Sequence, residues 1–262
     1  MTWWEYFVVG SLAGLHHASI RGYKDSLWEP FEWLKFWRSI LFGIIGGGVA
    51  YWLNIKINVQ FNLLSLSLFC LGSAVMIVES YKWFFRLDNQ EKYVIPTYFT
   101  WFGKIIEKRS QRVFIGIIFS GLILLLLWCF EKNIYLNSLT NLYRGLLVGL
   151  IGGIAASGGG SFKDAPFEGF FIKKFWRSWW VDILGGVIMA PLMPNNMVLL
   201  LMVWGWDRLW IELYKCLLLR NEAPGKFKIK GIVYKDWQIR RNWLLIPYGL
   251  SWLVPIAGSL LK

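Results

Sequence analysis

Chemically reactive side chains are scarce in this 262-residue sequence, which has only three cysteines and two histidines. Cys70, Cys129 and Cys216 lie in separate apolar segments without a CxxC spacing, which argues against a disulfide framework or a zinc site. The glycine run before Lys163 lacks the Gly-x4-Gly-Lys-Ser/Thr pattern of a phosphate-binding loop. Because no Ser-His-Asp or His-Glu-x-x-His arrangement is present either, the sequence contains no complete catalytic or metal-binding motif.

Charged residues are few as well. They make up 17% of the chain, whereas 56% is hydrophobic, and soluble domains average about 25% and about 45–50% respectively. Segments of about 20 apolar residues are long enough to cross a bilayer as helices. Four segments close to that length contain no Asp, Glu, Lys or Arg: Phe61–Val78, Val113–Phe130, Gly145–Phe162 and Asn242–Leu261. The composition therefore predicts an all-α integral membrane protein.

The distribution of basic residues predicts a topology. Segments that follow the first, third, fifth and seventh spans contain 24 of the 28 lysines and arginines, and the opposite side holds only Lys56, Lys132, Arg144 and Lys262. Because basic residues near span ends stay cytoplasmic during insertion, we expect both termini on the non-cytoplasmic side, in a plasma (inner) membrane. About eight spans fit the sequence, near residues 4–20, 38–55, 61–80, 112–130, 142–161, 177–194, 196–216 and 242–261.

The net charge of +12 follows from the same distribution. A basic balance can indicate nucleic-acid binding, but basic residues that flank spans fix topology and attract anionic lipid by about 1 kcal/mol each. We therefore expect anionic membrane lipids on the cytoplasmic face, and other membrane subunits, as candidate partners, and no nucleic acid. Because Met1–Glu5 lacks the basic region and cleavage site of a signal peptide, we interpret it as the start of the first span.

The sequence contains an internal duplication. Val9–Gly47 aligns with Val148–Gly186 without a gap, and 15 of the 39 pairs are identical. Random pairing gives about one match in fifteen. In a slightly different register, Glu79, Tyr81 and Lys82 correspond to Glu212, Tyr214 and Lys215. We therefore predict two tandem repeat units of four spans each, residues 1–131 and 132–262.

An even number of spans gives both units the same orientation, which predicts parallel repeats related by a pseudo-twofold axis along the membrane normal. Small residues allow helices to approach closely inside a membrane, where lipid provides no hydrophobic driving force between them. We expect the glycine-rich faces of the second, fifth and sixth spans to meet at the repeat interface: Gly43, Gly46, Gly47, Gly48, Gly149, Gly152, Gly153, Gly185 and Gly186.

Both units carry the motif Lys-Asp-x-x-aromatic-Glu-x-Phe-x-x-x-Lys-Phe-Trp-Arg-Ser. Its two carboxylates are spaced i,i+4, so they share a face if the stretch is helical. One interpretation is a binding site for a charged group at a cytoplasmic mouth. The other is a salt-bridge network that fixes the chain where it returns to the membrane. The candidate binding residues of the motif are Lys24, Asp25, Glu29, Lys35, Arg38, Lys163, Asp164, Glu168, Lys174 and Arg177.

The charged end of the third span in each unit provides a second group of candidates: Glu79, Lys82, Asp207, Arg208, Glu212 and Lys215. The duplication suggests that each Glu-x-Tyr-Lys turn meets the motif of its own unit. Ionisable residues within spans indicate function, but pairs at span ends also reach toward lipid headgroups for structural reasons.

Four polar residues break the symmetry of the repeats. Asp182 and Asp207 correspond to Gly43 and Ala74, so they fit either proton or cation coupling, or simple pairing with nearby arginines. His16 and His17 are adjacent, and their side chains diverge by about 100° on a helix, which disfavours chelation of one metal. We predict a polar interhelical role for them, and no residue pattern identifies a cofactor.

Three classes of function remain. The first is binding or translocation of a small anion or lipid headgroup at two charged cytoplasmic mouths, and a continuous polar cavity between the motifs would favour it. The second is a non-catalytic structural subunit of a membrane protein complex. Ion pairs formed among the charged residues of the motifs themselves would favour this class. The third is a lipid-modifying enzyme, supported only by the clustered charges. We rank them in this order, because a duplicated catalytic site would usually decay in one copy.

Overall fold

The protein is all-helical apart from one minimal strand pair. The computed structural model describes residues 1–86, 99–101, 104–218 and 232–260, without the side chains of residues 104, 163–168, 217 and 260. A two-residue antiparallel ladder joins β1 (Thr100–Trp101) to β2 (Lys104–Ile105). The helices are α1 (Trp3–Asp25), α2 (Trp33–Ile57), α3 (Leu63–Ser80), α4 (Arg109–Glu131), α5 (Ile134–Ser138), α6 (Asn141–Glu168), α7 (Ile172–Met189), α8 (Asn196–Leu213), α9 (Trp237–Arg240) and α10 (Leu245–Leu260).

Helices occupy all eight segments that the sequence indicated, so the predicted helical class is confirmed. Four of them are long and apolar enough to cross a membrane: Trp33–Ile57, Leu63–Phe85, Arg109–Ser138 and Asn141–Phe162. Exposed apolar side chains cover much of α4, as expected for a surface that faces lipid. The short helices α5 and α9 and the strand pair were not predicted from sequence, because short polar connections carry no periodic signal.

Helices α3 and α8 form the centre of the molecule and begin in the same way. Asn62 accepts a hydrogen bond from the backbone of Ser65, and Asn195 accepts one from the backbone of Val198. Each asparagine thereby satisfies one of the free N–H groups at its helix start. The two helices then cross at glycines. A Cβ on Gly72 would lie 2.9 Å from the carbonyl carbon of Leu201, and one on Gly205 would lie 2.8 Å from that of Leu68.

Two further helix pairs approach as closely. Gly10 of α1 faces Gly43 of α2, where an added Cβ would lie 2.5 Å from the carbonyl oxygen. Gly149 of α6 faces Asp182 of α7 in the same way, and an added Cβ on Gly149 would lie 2.6 Å from the carbonyl oxygen of Asp182. Any larger residue at these glycines would push the backbones apart. The glycines of spans two, five and six therefore face helices of their own predicted unit, including α3 for Gly46 and α8 for Gly152 and Gly185, and not the opposite unit as the sequence suggested.

The remaining long helices pack on the outside of this centre. Helix α10 packs against α1 and α3, whereas α4 packs against α8 and against the helical turn that follows α3. The last long helix of the chain therefore contacts helices of the first predicted unit. This arrangement brings α1, α3, α8 and α10 together around the charged side chains described below.

Candidate functional site

A fully buried carboxylate lies where α1 meets the end of α8. Lys24 donates hydrogen bonds to both oxygens of Glu212, at 3.1 and 2.9 Å, and Arg208 donates to Oε1 at 2.8 Å. Glu212 has no solvent exposure, so its negative charge would be very costly without these two cations. The contact between α1 and α8 is therefore fixed by a buried ion pair.

The corresponding carboxylate of α3, Glu79, lies between two other cations. Nζ of Lys82 is 2.8 Å from Oε1 of Glu79, and Nη1 of Arg21 is 3.6 Å from the same oxygen. Arg21 and Lys24 also lie 3.8 and 3.9 Å from carboxylate oxygens of Asp25. Helix α1 thus supplies cations to both glutamates. We call these seven residues the central charge network: Arg21, Lys24, Asp25, Glu79, Lys82, Arg208 and Glu212.

Both central helices widen next to their glutamates. Helix α3 continues into a π-helical turn at Tyr81–Phe85, and α8 continues into one at Tyr214–Leu218. Such turns insert an extra residue into the helical repeat and occur frequently at functional sites. Here they turn one tyrosine in each helix towards an arginine of the preceding long helix.

These contacts are the two arginine–tyrosine pairs that recur in the predicted units, and a third arginine, Arg241, lies 4.4 Å from the ring centre of Tyr23 without a counterpart in the duplication. Cζ of Arg38 lies 4.6 Å from the ring centre of Tyr81, and its Nη1 donates to the tyrosine hydroxyl at 3.4 Å. Cζ of Arg177 lies 5.4 Å from the ring centre of Tyr214. A guanidinium within about 6 Å of a ring is attracted to its face but keeps its full charge. Each pair joins the motif to the Glu-x-Tyr-Lys turn of its own predicted unit, the contact that the duplication suggested.

The positive charge at these pairs is only partly balanced by carboxylates, because Asp207 interacts electrostatically with Arg177 and Lys215. In the part of the chain that the structure describes, no ion pair involves Arg38, Arg177 or Lys215. Arg177 and Lys215 are close enough to repel each other. Glu79 and Glu212 are already held by cations of the central charge network.

The rest of the motif differs between the two predicted units. Helix α1 ends at Asp25, and Glu29 is buried in the turn that follows, where its N–H donates to the Asp25 carbonyl at 2.9 Å. The regular helix therefore ends before Glu29, although this i,i+4 hydrogen bond keeps one further turn, whereas the backbone of α6 stays helical through Glu168. Lys35 lies 3.7 Å from Glu32. Lys174 is half-buried at the start of α7, and the side chains of Lys163, Asp164 and Glu168 lie outside the described residues.

Comparisons with protein-family models, with curated proteins and with solved structures found no match. The function is therefore inferred from the charges, contacts and cavities of this chain alone.

Two further carboxylates lie in the second half of the chain, Asp182 fully buried and Asp207 partly buried. Both oxygens of Asp182, and Oδ1 of Asp207, have no hydrogen-bond partner among the described residues. The two side chains are close enough to interact electrostatically. The pairing of Asp182 with Arg177 or Arg208, one of the two alternatives from sequence, is therefore not observed.

The two histidines lie where α1 meets α10. Nε1 of Trp252 donates a hydrogen bond to Nδ1 of His16, whose ring also packs on Tyr248. His17 is fully buried, and neither of its ring nitrogens has a partner in the described structure. No group of three or more potential metal ligands occurs among the described residues. His16 thus has the interhelical role that the sequence predicted.

Sequence analysis did not select Tyr81, Tyr214 or Trp252 as site residues. A signal for the two tyrosines was present, because both belong to the Glu-x-Tyr-Lys turn that recurs in the two predicted units. Trp252 gave no comparable signal, since it is one of 18 tryptophans in the chain.

Proposed function

We propose that this membrane protein binds an anionic group, either a small anion or a lipid headgroup, at two equivalent cytoplasmic sites. The observation that carries the proposal is the recurrence of the arginine–tyrosine pair, with Arg38 on Tyr81 and Arg177 on Tyr214. Each planar guanidinium is held by a ring and keeps hydrogen-bond donors for phosphate or carboxylate oxygens. Exposed tryptophans next to both arginines, Trp37 and Trp176, are typical of headgroup depth.

We further propose that the chain is a tandem repeat with parallel units. Three observations support this architecture. The contact of Gly10 with Gly43 recurs in the second unit between the aligned positions, Gly149 and Asp182. The contact of Gly72 with Leu201 is mirrored by that of Gly205 with Leu68, as a twofold interface requires. The helix caps at Asn62 and Asn195 correspond in the register that pairs Glu79 with Glu212. Residues 1–131 and 132–262 are the proposed units.

We also propose that the chain crosses a plasma (inner) membrane eight times, with both termini on the non-cytoplasmic side. The 24-to-4 division of basic residues supports this topology. Arg144, one of the four exceptions, is buried and donates hydrogen bonds to the backbone carbonyls of Pro194, Ala190 and Met193. Arg144 lies on this side because it donates to the carbonyl groups beyond the end of α7. It is therefore consistent with the unequal distribution of basic residues between the two sides.

Binding is better supported than translocation. A path through the centre of the molecule would have to separate Lys24 and Arg208 from the fully buried Glu212. Breaking a buried ion pair is costly, because it leaves an uncompensated charge. The arginine–tyrosine pairs lie beside this centre, where an anion can bind without disrupting it.

A structural subunit of a membrane complex is the second candidate. The observation that favours it is the closure of the central charge network, whose carboxylates are satisfied by cations of the same chain. The two candidates make different predictions for Arg38 and Arg177, because only anion binding requires their charge.

The test measures anion-dependent thermal stabilisation of the purified protein in neutral detergent. We expect inorganic phosphate and anionic phospholipid to raise the melting temperature of the wild type. Arg38→Gln and Arg177→Gln should each reduce this shift, and the double variant should abolish it, because a ligand stabilises only the state that binds it. Without ligand, both variants should unfold close to the wild type, since neither arginine has a carboxylate partner in the described structure.

The matched control is Arg240→Gln. Arg240 is exposed on the same proposed side and has no ring contact or ion pair in the described part of the chain. This variant should respond to phosphate as the wild type does. An equal response of all four variants would refute anion binding at the arginine–tyrosine pairs and leave the structural role.

A further inference from the structure

An apolar cavity lies directly beside the first arginine–tyrosine pair. It has a volume of about 310 Å³ and is bounded by α2, α3 and α4. Its walls include Phe42 of α2, Ile77 and Tyr81 of the α3 segment, and Ile123 and Leu124 of α4. Ligand pockets measure about 300–1,000 Å³, so this cavity is large enough for part of a small hydrophobic ligand.

The cavity reaches the surface of the protein that faces lipid. Leu124 forms part of its wall and is 64% exposed. The wall belongs to helices that are long and apolar enough to cross a membrane. A hydrocarbon chain can therefore enter sideways from a bilayer, and filling the space restores van der Waals contacts that the lining otherwise lacks.

A positive charge lies next to Tyr81, one of the residues that line the cavity. Tyr81 lines the cavity and also contacts Arg38, whose Cζ lies 4.6 Å from the centre of the tyrosine ring. Arg38 has no ion-pair partner among the described residues, so an apolar space and an unbalanced cation adjoin each other. A free anion would leave the apolar space empty, and a neutral hydrocarbon would leave Arg38 unpaired. A molecule with both features satisfies both groups.

We infer that this cavity binds an anionic phospholipid, with one acyl chain between α2, α3 and α4 and the phosphate on Arg38. The inference rests on the proposed anion site and names its ligand class. It applies to the first arginine–tyrosine pair alone. In the register that pairs Glu79 with Glu212, Ile77 and Ser80 of the cavity wall correspond to the larger residues Trp210 and Leu213. Helix α10, which takes the place of α4 in the second unit, packs against α1 and α3 instead.

The experiment compares lipid retention and phosphate binding for two variants. Ser120→Leu adds bulk to the α4 wall without changing charge, and Arg38→Gln removes the charge without filling the cavity. Retention of phosphatidylglycerol against phosphatidylcholine is measured by native mass spectrometry from mixed micelles. The wild type should prefer phosphatidylglycerol about fivefold, the effect of one basic residue near an anionic headgroup. Soluble glycerol phosphate, which lacks acyl chains, tests the headgroup alone by thermal shift.

The two variants separate the acyl site from the anion site. Ser120→Leu should lose retained phosphatidylglycerol but keep the thermal shift with glycerol phosphate, whereas Arg38→Gln should lose both. If Ser120→Leu retains the lipid as the wild type does, the acyl-chain inference fails while anion binding stands. If Arg38→Gln changes neither measurement, the anion site and the inference built on it both fail.

A second measurement does not depend on the folding of a variant. A phosphatidylglycerol with a photoreactive acyl chain is cross-linked to the wild-type protein, and labelled peptides are identified. Met76 and Ile77, which line the cavity, should be labelled, and excess unlabelled phosphatidylglycerol should suppress that labelling more than excess phosphatidylcholine. Absence of label at these residues, or equal suppression by both lipids, would overturn the inference.

Discussion

At the scale of single residues, the charged side chains divide into two groups. Those of the central charge network neutralise one another, and the most buried of them, Glu212, is held by Lys24 and Arg208. Arg38 and Arg177 instead lie on aromatic rings and keep their charge. This division follows from position, because a carboxylate without water requires cations, whereas an arginine near lipid headgroups can meet an external anion. The first group stabilises the fold, and the second group is the one for which we propose anion binding.

The buried ion pair gives the first prediction. Lys24→Met removes a cation from Glu212 and should destabilise the protein by about 3–5 kcal/mol, the usual cost of stranding a buried charge. Lys35→Met is the control, because Lys35 and Glu32 form a partly exposed pair at 3.7 Å, and such pairs contribute only about 0–1 kcal/mol. Unfolding in detergent, followed by circular dichroism, compares the two. Similar losses for both variants would show that Glu212 does not depend on Lys24.

Asp182 gives the second prediction, in which the substitution should not destabilise the protein. Its carboxylate is fully buried without a partner in the described structure, so an amide of the same shape is expected to be less costly there. Asp182→Asn should therefore leave the melting temperature unchanged or raise it. Asp25→Asn should lower the melting temperature, because Asp25 lies beside Arg21 and Lys24. A clear loss of stability in Asp182→Asn would indicate that the carboxylate holds a bound cation.

At the scale of helices, close packing depends on where glycines face a backbone. The crossing of α3 and α8 uses Gly72 and Gly205, and each faces the backbone of the opposite helix. Sequence analysis expected the glycines of other spans at the repeat interface, and those glycines instead face helices of their own predicted unit. A glycine in a span predicts a close approach to some neighbour. It does not predict which neighbour, because that depends on how all the helices rotate together.

The α3–α8 crossing gives the third prediction. Gly72→Ala would place a methyl group against the carbonyl oxygen of Leu201 and 2.9 Å from its carbonyl carbon, and this backbone cannot move without separating the two central helices. We expect a large loss of folded protein in size-exclusion chromatography after extraction. Gly121→Ala in α4 is the control, because an added Cβ there has no neighbour within 4 Å. That change should be neutral or slightly stabilising, since alanine favours a helix over glycine by about 1 kcal/mol. Equal yields for both variants would contradict the crossing.

At the scale of the whole molecule, the sequence predicted where the long helices lie along the chain better than it predicted which helices contact each other. Hydrophobic length and the basic division predict eight helical segments, and the duplication relates Glu79 to Glu212. The pairing of Lys24 with Glu212 was not predictable, because the two residues lie 188 positions apart and nothing in a single sequence relates them. The packing of His16 against Trp252 and Tyr248 was missed for the same reason. Local patterns predict elements, whereas a site built from several helices depends on their assembly.

The fourth prediction concerns the number of spans, because two topologies agree with the basic residues. If only the four most apolar helices crossed the membrane, the segments before Trp33 and after Phe162 would share the cytoplasmic side with residues 86–108. If all eight long helices cross, the start of α1 and the connection between α7 and α8 are non-cytoplasmic. Single cysteines at Trp3 and Leu192, both exposed, distinguish these cases when they are introduced into a Cys129→Ser background.

Labelling with a membrane-impermeant maleimide in intact cells and in opened cells then measures the side of each cysteine. We expect Trp3→Cys and Leu192→Cys to react in intact cells, as the eight-span topology requires. Two controls have the same side in both topologies: Tyr135→Cys should react in intact cells, and Glu107→Cys should react only after opening. The eight-span arrangement also explains why Arg144, on the side otherwise poor in basic residues, is buried against backbone carbonyls instead of facing water. If Trp3→Cys and Leu192→Cys react only in opened cells, α1, α7, α8 and α10 do not cross the membrane, and the parallel eight-span repeat is wrong.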